Sequence, residues 1–246
     1  TARVGAAGAN YGGDKAIFAF GNSPVTAVSN LVNNSGVVGT DVTAVGTARG
    51  EMGSAGYGGD KAIYGYGTSQ VSMTNLVTNV GVVGTDVTGV GTGRSELTAT
   101  KYGNDKAVFA YGDSGSARVS LKNLVSNQGV VAADITGVGT VRTALAAAGY
   151  GTGLAIFAYG MSDSRVSMSN LVNILGVIAA DVTGVGTARY AITATTFGGD
   201  KAIFGFGLPG PTGVTNLVSN SGVVAADTAG VGTARSGVAA STYGSS

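Results

Sequence analysis

Cysteine, histidine and tryptophan are all absent from this chain, and only three prolines occur in its 246 residues. The missing cysteine removes disulfides and thiol nucleophiles, and the missing histidine removes imidazole general bases. Together they remove nearly every zinc or haem site. Charge is scarce as well, with 14 basic and 13 acidic residues giving a net charge of +1. Such a balance has no basic footprint with which to hold nucleic acid or an anionic membrane surface. No run approaches the roughly 20 uninterrupted apolar residues of a membrane helix. The opening segment TARVGAAGAN lacks the blocks of a signal peptide and starts with Thr1, so a processed product or a piece of something longer is expected.

Glycine and apolar residues take up the space. Hydrophobic residues make up 44% of the chain, enough for a folded protein. Glycine fills 44 positions, against a usual share of roughly 7%. With so little proline and no triplet period this excludes collagen and points to tight turns between short strands.

Internal repetition organises the whole sequence. A VGTAR-like segment returns with its arginine at Arg3, Arg49, Arg94, Arg142, Arg189 and Arg235, in steps of 46, 45, 48, 47 and 46. The units are therefore 1–46, 47–91, 92–139, 140–186 and 187–232, with a remnant of a sixth at 233–246. Each unit holds four runs of strand character separated by glycine-rich turns; in the second these are Gly50 to Ala55, KAIYGYG, VSMTNLV and GVVGTDVTGVG. Helical periodicity is missing throughout.

The second run carries the most information, because alternate residues of a strand face opposite ways. Ala16, Phe18 and Phe20 share one face and Ile17 and Ala19 the other, so both faces are apolar. Such a strand must be covered on both flanks, as in a small sheet held between two like neighbours. One unit buries too little to fold alone. Four-stranded units of this length, stacked face to face around an axis, predict an all-β fold: a β-propeller of five four-stranded blades in a single domain spanning 1–246, favoured over a β-solenoid. Residues 1–14 and 233–246 are copies of one element, and a five-bladed ring has no second inner position for it.

The order TAR, SGxAA, DKAIFxYG, VSMTNLV and GVVxxDVTGVG resembles a degenerate kelch-type blade, departing from kelch in having no tryptophan and no full glycine doublet where the second run ends in aromatic-glycine. The wording is similar to kelch-like repeat proteins of bacteriophages that infect aquatic bacteria, including cyanophages. That resemblance spans the whole chain and implies a virion or tail-fibre-associated structural protein, extracellular, assembled with other virion or fibre subunits. It implies no particular activity.

Most charges recur with the repeat. Asp41, Asp86, Asp134, Asp181 and Asp227 each precede the next unit's arginine by eight residues, which suggests a pair fixing the step between units, or else arginines ringed about the axis to hold an anion. Asp14–Lys15, Asp60–Lys61, Asp105–Lys106 and Asp200–Lys201 are lost together in the fourth unit, at Gly153–Leu154. Joint loss favours a mutually screened pair at a solvated turn over a calcium site. Asn30, Asn75, Asn123, Asn170 and Asn216, always before leucine, are expected to satisfy backbone groups at a bend in the third run. The Gly-x-Gly pieces precede no helix and are turns rather than a dinucleotide fingerprint. The lone sequon Asn33-Asn34-Ser35 carries little weight.

What does not repeat is where recognition is expected. Length varies between the second and third runs, in inserts of 3, 3, 6, 5 and 6 residues. The candidate binding residues are Asn22, Ser23 and Pro24; Thr68, Ser69 and Gln70; Asp113, Ser114 and Arg118; Met161, Asp163 and Arg165; and Leu208, Pro209 and Pro211. The favoured expectation is a non-enzymatic tail-fibre or virion-surface protein that presents these loops to a receptor or to neighbouring subunits, as part of a homo-oligomeric assembly. The alternative is a lectin that binds a host surface glycan between blades. Only Tyr190 among the aromatics lies outside the repeat. No cluster of acids or nucleophile with its base marks an enzyme, so no catalytic residue, cofactor or metal is assigned.

Overall fold

The computed structural model describes residues 1–243, and every strand and turn in that span belongs to an all-β architecture without helix. Fifteen strands form five antiparallel sheets, one per repeat. The first sheet holds β1 (Ala7–Tyr11), β2 (Lys15–Gly21) and β3 (Thr26–Val32); the second, β4 (Gly53–Tyr57), β5 (Lys61–Gly65) and β6 (Thr74–Val77). The third holds β7 (Thr98–Tyr102), β8 (Lys106–Ala110) and β9 (Lys122–Val125); the fourth, β10 (Ala146–Tyr150), β11 (Leu154–Ala158) and β12 (Ser169–Val172). The fifth holds β13 (Thr193–Phe197), β14 (Lys201–Gly205) and β15 (Thr215–Val218). Strands pair in chain order, so the second run lies in the middle of each sheet.

The sheets have three strands and not the expected four. The fourth run makes only two isolated bridges per unit, Val32 to Val38 and Ser29 to Val42 in the first. Its valines have strand propensity, yet Val37, Val82, Val130, Val177 and Val223 all face solvent. Propensity of this kind reflects fit to a half-covered surface, and no neighbour covers these side chains. Glycines at positive φ, such as Gly36 at 78° and Gly46 at 82°, bend the run out of the ladder.

Alternation along the middle strand breaks at its last aromatic residue. Phe20, Tyr66, Tyr111, Tyr159 and Phe206 have φ between 61° and 66°, a conformation that costs an L-residue about 1–2 kcal/mol. The turn carries Phe20 onto the face of Ile17, where strict alternation placed it with Phe18. Ile17, Ala19 and Phe20 thus form one cluster with Met52, Ala62 and Tyr64 of the next unit. Burying such a ring contributes about 1.5–3 kcal/mol, which offsets the backbone cost. The same interface recurs at the next three boundaries. Ring centres of Phe20 and Tyr64, Tyr66 and Phe109, Tyr111 and Phe157, and Tyr159 and Phe204 are 5.1–5.5 Å apart.

Two files of backbone hydrogen bonds join neighbouring units. At one end the N–H groups of Glu51, Glu96, Ala144, Ala191 and Gly237 donate to the carbonyls of Gly5, Glu51, Glu96, Ala144 and Ala191 in turn, at 2.9–3.4 Å. At the other end Gly12, Gly58, Gly103 and Gly151 donate to Asp60, Asp105, Gly153 and Asp200 at 2.6–2.8 Å.

The last copy of the first run has a place of its own. Gly237 continues the first file from Ala191, and Tyr243 packs on Gly36 of the first unit. That contact repeats the way Tyr11 meets Gly81, Tyr57 meets Gly129, Tyr102 meets Gly176 and Tyr150 meets Gly222. Residues 237–243 therefore lie between the fifth unit and the first, and all six copies of the first run line one central cavity. The two terminal copies do not compete for a single inner position.

Cover of the middle strands is complete in three units and interrupted in two. Tyr64, Tyr66, Phe109, Tyr111, Phe157 and Tyr159 are fully buried. On the flanks that face the sixth position, Phe18, Ile203 and Phe206 are half-exposed. Val38 is 58% exposed where its counterpart Val83 is 8%. The expectation that every middle strand is shielded on both sides fails on one flank each of the first and fifth units.

Candidate functional site

All five inserts leave from the same end of the sheets. Backbone bridges root them beside the segment that precedes each first strand: Asn22 to Val4, Asp113 to Ser95, Met161 to Thr143 and Leu208 to Tyr190. The Thr68 N–H makes the equivalent bond to Gly50 at 2.9 Å. Asn22, Thr68, Asp113, Ser114, Met161 and Leu208 are half-buried at these roots. Ser23, Pro24, Ser69 and Gln70 face solvent in the short inserts, and Arg118, Asp163, Arg165, Pro209 and Pro211 do so in the long ones.

The first three inserts each contact the unit that follows. Asn22 Nδ2 reaches Glu51 Oε1 at 3.5 Å in the second unit. Gln70 Nε2 donates to Ser95 Oγ at 3.3 Å, and a methyl group at Gly115 would sit 3.3 Å from the Gln70 side chain. Arg118 Nη1 lies 3.7 Å from Asp163 Oδ1, an exposed pair that orients the third insert against the fourth at little gain in stability. A cleft of about 580 Å³ between the fourth and fifth inserts is lined by Met161, Asp163, Arg165, Thr187 and Pro209. Burial pushes the Glu51 carboxyl above its ordinary range, and Glu96 adds to the shift.

The repeating polar residues serve the scaffold, by a route that differs from the expected one. Asp86 does not meet the arginine eight residues ahead of it. Its carboxylate accepts from Thr47 N–H at 3.0 Å, Thr47 Oγ1 at 2.6 Å and Asn75 Nδ2 at 2.9 Å, all within its own unit. Asn75 passes the network on by accepting from Arg49 Nη2 at 2.7 Å and donating to the Gly84 carbonyl at 3.0 Å. The backbone group that this asparagine satisfies thus belongs to the fourth run and not to a bend in the third. Arg49 in turn lies 4.9 Å over the ring of Phe20, and Arg94, Arg142, Arg189 and Arg235 lie over Tyr66, Tyr111, Tyr159 and Phe206. Because Arg49, Arg94, Arg142 and Arg189 are buried beneath aromatic rings, they form no open ring for an anion. Burial pulls the Arg49 guanidinium down to about 10, with Asp86 opposing.

At the opposite end sit the Asp–Lys turns, where the four ion pairs measure 2.8–2.9 Å and remain solvated. Between the ends runs the central cavity of about 890 Å³, walled mostly by glycine, alanine, serine and threonine, with Asn10, Lys101 and Asn104 and the aromatic residues Tyr102, Tyr150 and Phe197 also lining it. Among the described residues no three histidine, cysteine, aspartate or glutamate side chains converge as a metal ion would require. Sequence reasoning missed Lys122, which is buried and donates to the Gly176 carbonyl of the next unit at 2.9 Å. Its serine or threonine counterparts, Ser29, Thr74, Ser169 and Thr215, were the signal.

No protein-family model matches the chain, and no curated protein matches it.

Proposed function

We propose that the chain is a β-propeller-type display module, non-enzymatic, that presents its five inserts as one recognition face. The observation that carries this reading is the contrast between the two parts of each unit. The scaffold repeats nearly residue for residue, whereas the inserts vary in length and charge and meet one another at one end. Side-by-side packing of the first strands about a common cavity, with units coupled through aromatic and arginine stacks, supports the propeller. A rigid base with variable loops suits recognition, because little loop ordering has to be paid for on binding. A place on a virion surface or tail fibre, with other subunits or a host receptor as partners, is the setting in which such a face would act.

The second reading is a lectin. Tyr190, the one aromatic outside the repeat, is bridged to Leu208 at the root of the fifth insert, next to the cleft that contains Asp163, Arg165 and Thr187. An aromatic platform beside paired polar groups is what a sugar ring needs.

The test is binding of the labelled protein to bacterial surfaces and to a glycan array, alongside a variant with 113–118 and 161–165 each replaced by Thr-Ser-Gln from the second unit. Loss of binding with an unchanged melting temperature supports the recognition face, and signals on defined glycans select the lectin. Undiminished binding by the variant rejects both.

A further inference from the structure

We propose that the outer part of the sixth position, open among the described residues, is a docking slot for a β-hairpin with the chemistry of this repeat's own second and third runs. The proposal is independent of what the inserts bind.

The slot is defined on three sides. Its floor is the sixth copy of the first run, whose residues 238–243 make no backbone-to-backbone hydrogen bond among the described residues. In the complete units the corresponding strands pair fully with a middle strand, as β4 does with β5 from Gly53 to Tyr57. One wall is the open flank of the fifth unit, with Ile203 and Phe206 half-exposed and Leu217 43% exposed. The other is the open flank of the first unit, with Phe18 and Val38. These are the same positions that close elsewhere: Phe206 is the counterpart of Tyr66, which meets Phe109, and Val38 is that of Val83, which packs on the unit before it.

An unpaired strand edge between two apolar walls selects a narrow class of partner. The edge demands an extended chain that offers N–H and C=O groups in antiparallel register. The walls demand apolar side chains on both faces of that chain, which excludes the ordinary half-polar strand and any helix. Arg235 adds a polar requirement. It stacks on Phe206 like its counterparts on theirs, but it is exposed and lacks the asparagine that Arg49 finds in Asn75. A hairpin carrying that Asn-Leu-Val third strand supplies the missing acceptor. An intact second copy is the poorer occupant, since its own second and third runs are all held in their sheets.

The experiment adds a synthetic peptide of residues 60–78 to the full chain, with a scrambled peptide as control. Saturable one-to-one uptake, a raised melting temperature and slowed amide exchange across 238–243 are expected. Leu217→Asp and Val38→Asp, at side chains exposed in the free protein, should each weaken uptake at least about tenfold without changing the melting temperature of the free chain. No saturable uptake, or uptake indifferent to both substitutions, overturns the proposal. Self-association of the free chain that both substitutions abolish, and that blocks the peptide, also overturns it by placing a second copy in the slot.

Discussion

The guanidinium of Arg49 lies 4.9 Å above the ring of Phe20, a residue of the preceding unit. The same arginine is tied through Asn75 to Asp86 of its own unit. It therefore holds its own sheet together with one end of the group and grips its neighbour with the other. Replacing Arg142 by methionine removes the stack on Tyr111 and leaves Asn170 Oδ1 and the Met168 carbonyl short of a donor; a loss of about 2–4 kcal/mol is expected in urea unfolding. Arg235→Met, at the exposed sixth copy, is expected to cost less than about 1 kcal/mol.

Acid should loosen the same network. Burial raises the carboxyls of Asp86, Asp134, Asp181 and Asp227, but hydrogen bonds from the partner threonine and asparagine more than offset it, so all four sit below their ordinary 3.8. A group held lower in the folded state stabilises fully above its unfolded value and stops doing so as pH falls through the folded one. Stability measured by denaturant titration should thus be flat near neutrality and drop once pH passes below the ordinary aspartate value. A variant with Asn at 86 and 134 should show a shallower drop.

Glu51 and Glu96 occupy a column with Ala144 and Ala191 whose end members are Gly5 and Gly237, all at φ between 49° and 60°. Glu51 is also the rare group here whose carboxyl is raised, by burial and then by Glu96. A raised acid is stabilising when protonated and loses that contribution as pH rises through its folded value. Glu51→Gly removes both the charge and the positive-φ cost, so a gain of about 0.5–1 kcal/mol at pH 7 is expected from thermal unfolding.

The boundary between units should be the weak point of the interior. Phe109 is fully buried against Tyr66 across the boundary between the second and third units. Phe109→Ala is expected to cost about 3–5 kcal/mol, and Phe18→Ala distinctly less, because its flank already faces the open sixth position. Chemical denaturation of the two variants side by side checks the ordering.

Much of this was readable in the residues. The period follows from the recurring arginine-led segment, and the double-sided cover of the middle strand, complete in three of the five units, follows from KAIYGYG-type runs with apolar residues on both faces. The fourth strand was over-read, because valine-rich sequence signals propensity while pairing depends on a neighbour that Val82 and Val177 do not have. The fixed eight-residue step from Asp86 to Arg94 marked a connector of constant path, and a constant path is not a contact. Phe20 was assigned to the wrong face although the aromatic–glycine pair ending each middle strand hinted at positive φ. For the inserts, sequence located the variation but not its convergence: the approach of Arg118 to Asp163 depends on how adjacent units are set, which no single unit encodes.

The central claim is that the last copy of the first run neighbours the first unit, so that six positions surround one cavity. A chain without cysteine allows a direct check by paired spin labels. Labels at Ser35→Cys and Thr242→Cys should give one short distance, matching that from Lys101→Cys and Leu175→Cys, the equivalent pair across an internal boundary. A long distance for the first pair beside a short one for the second would mean an open row of units and would contradict the account.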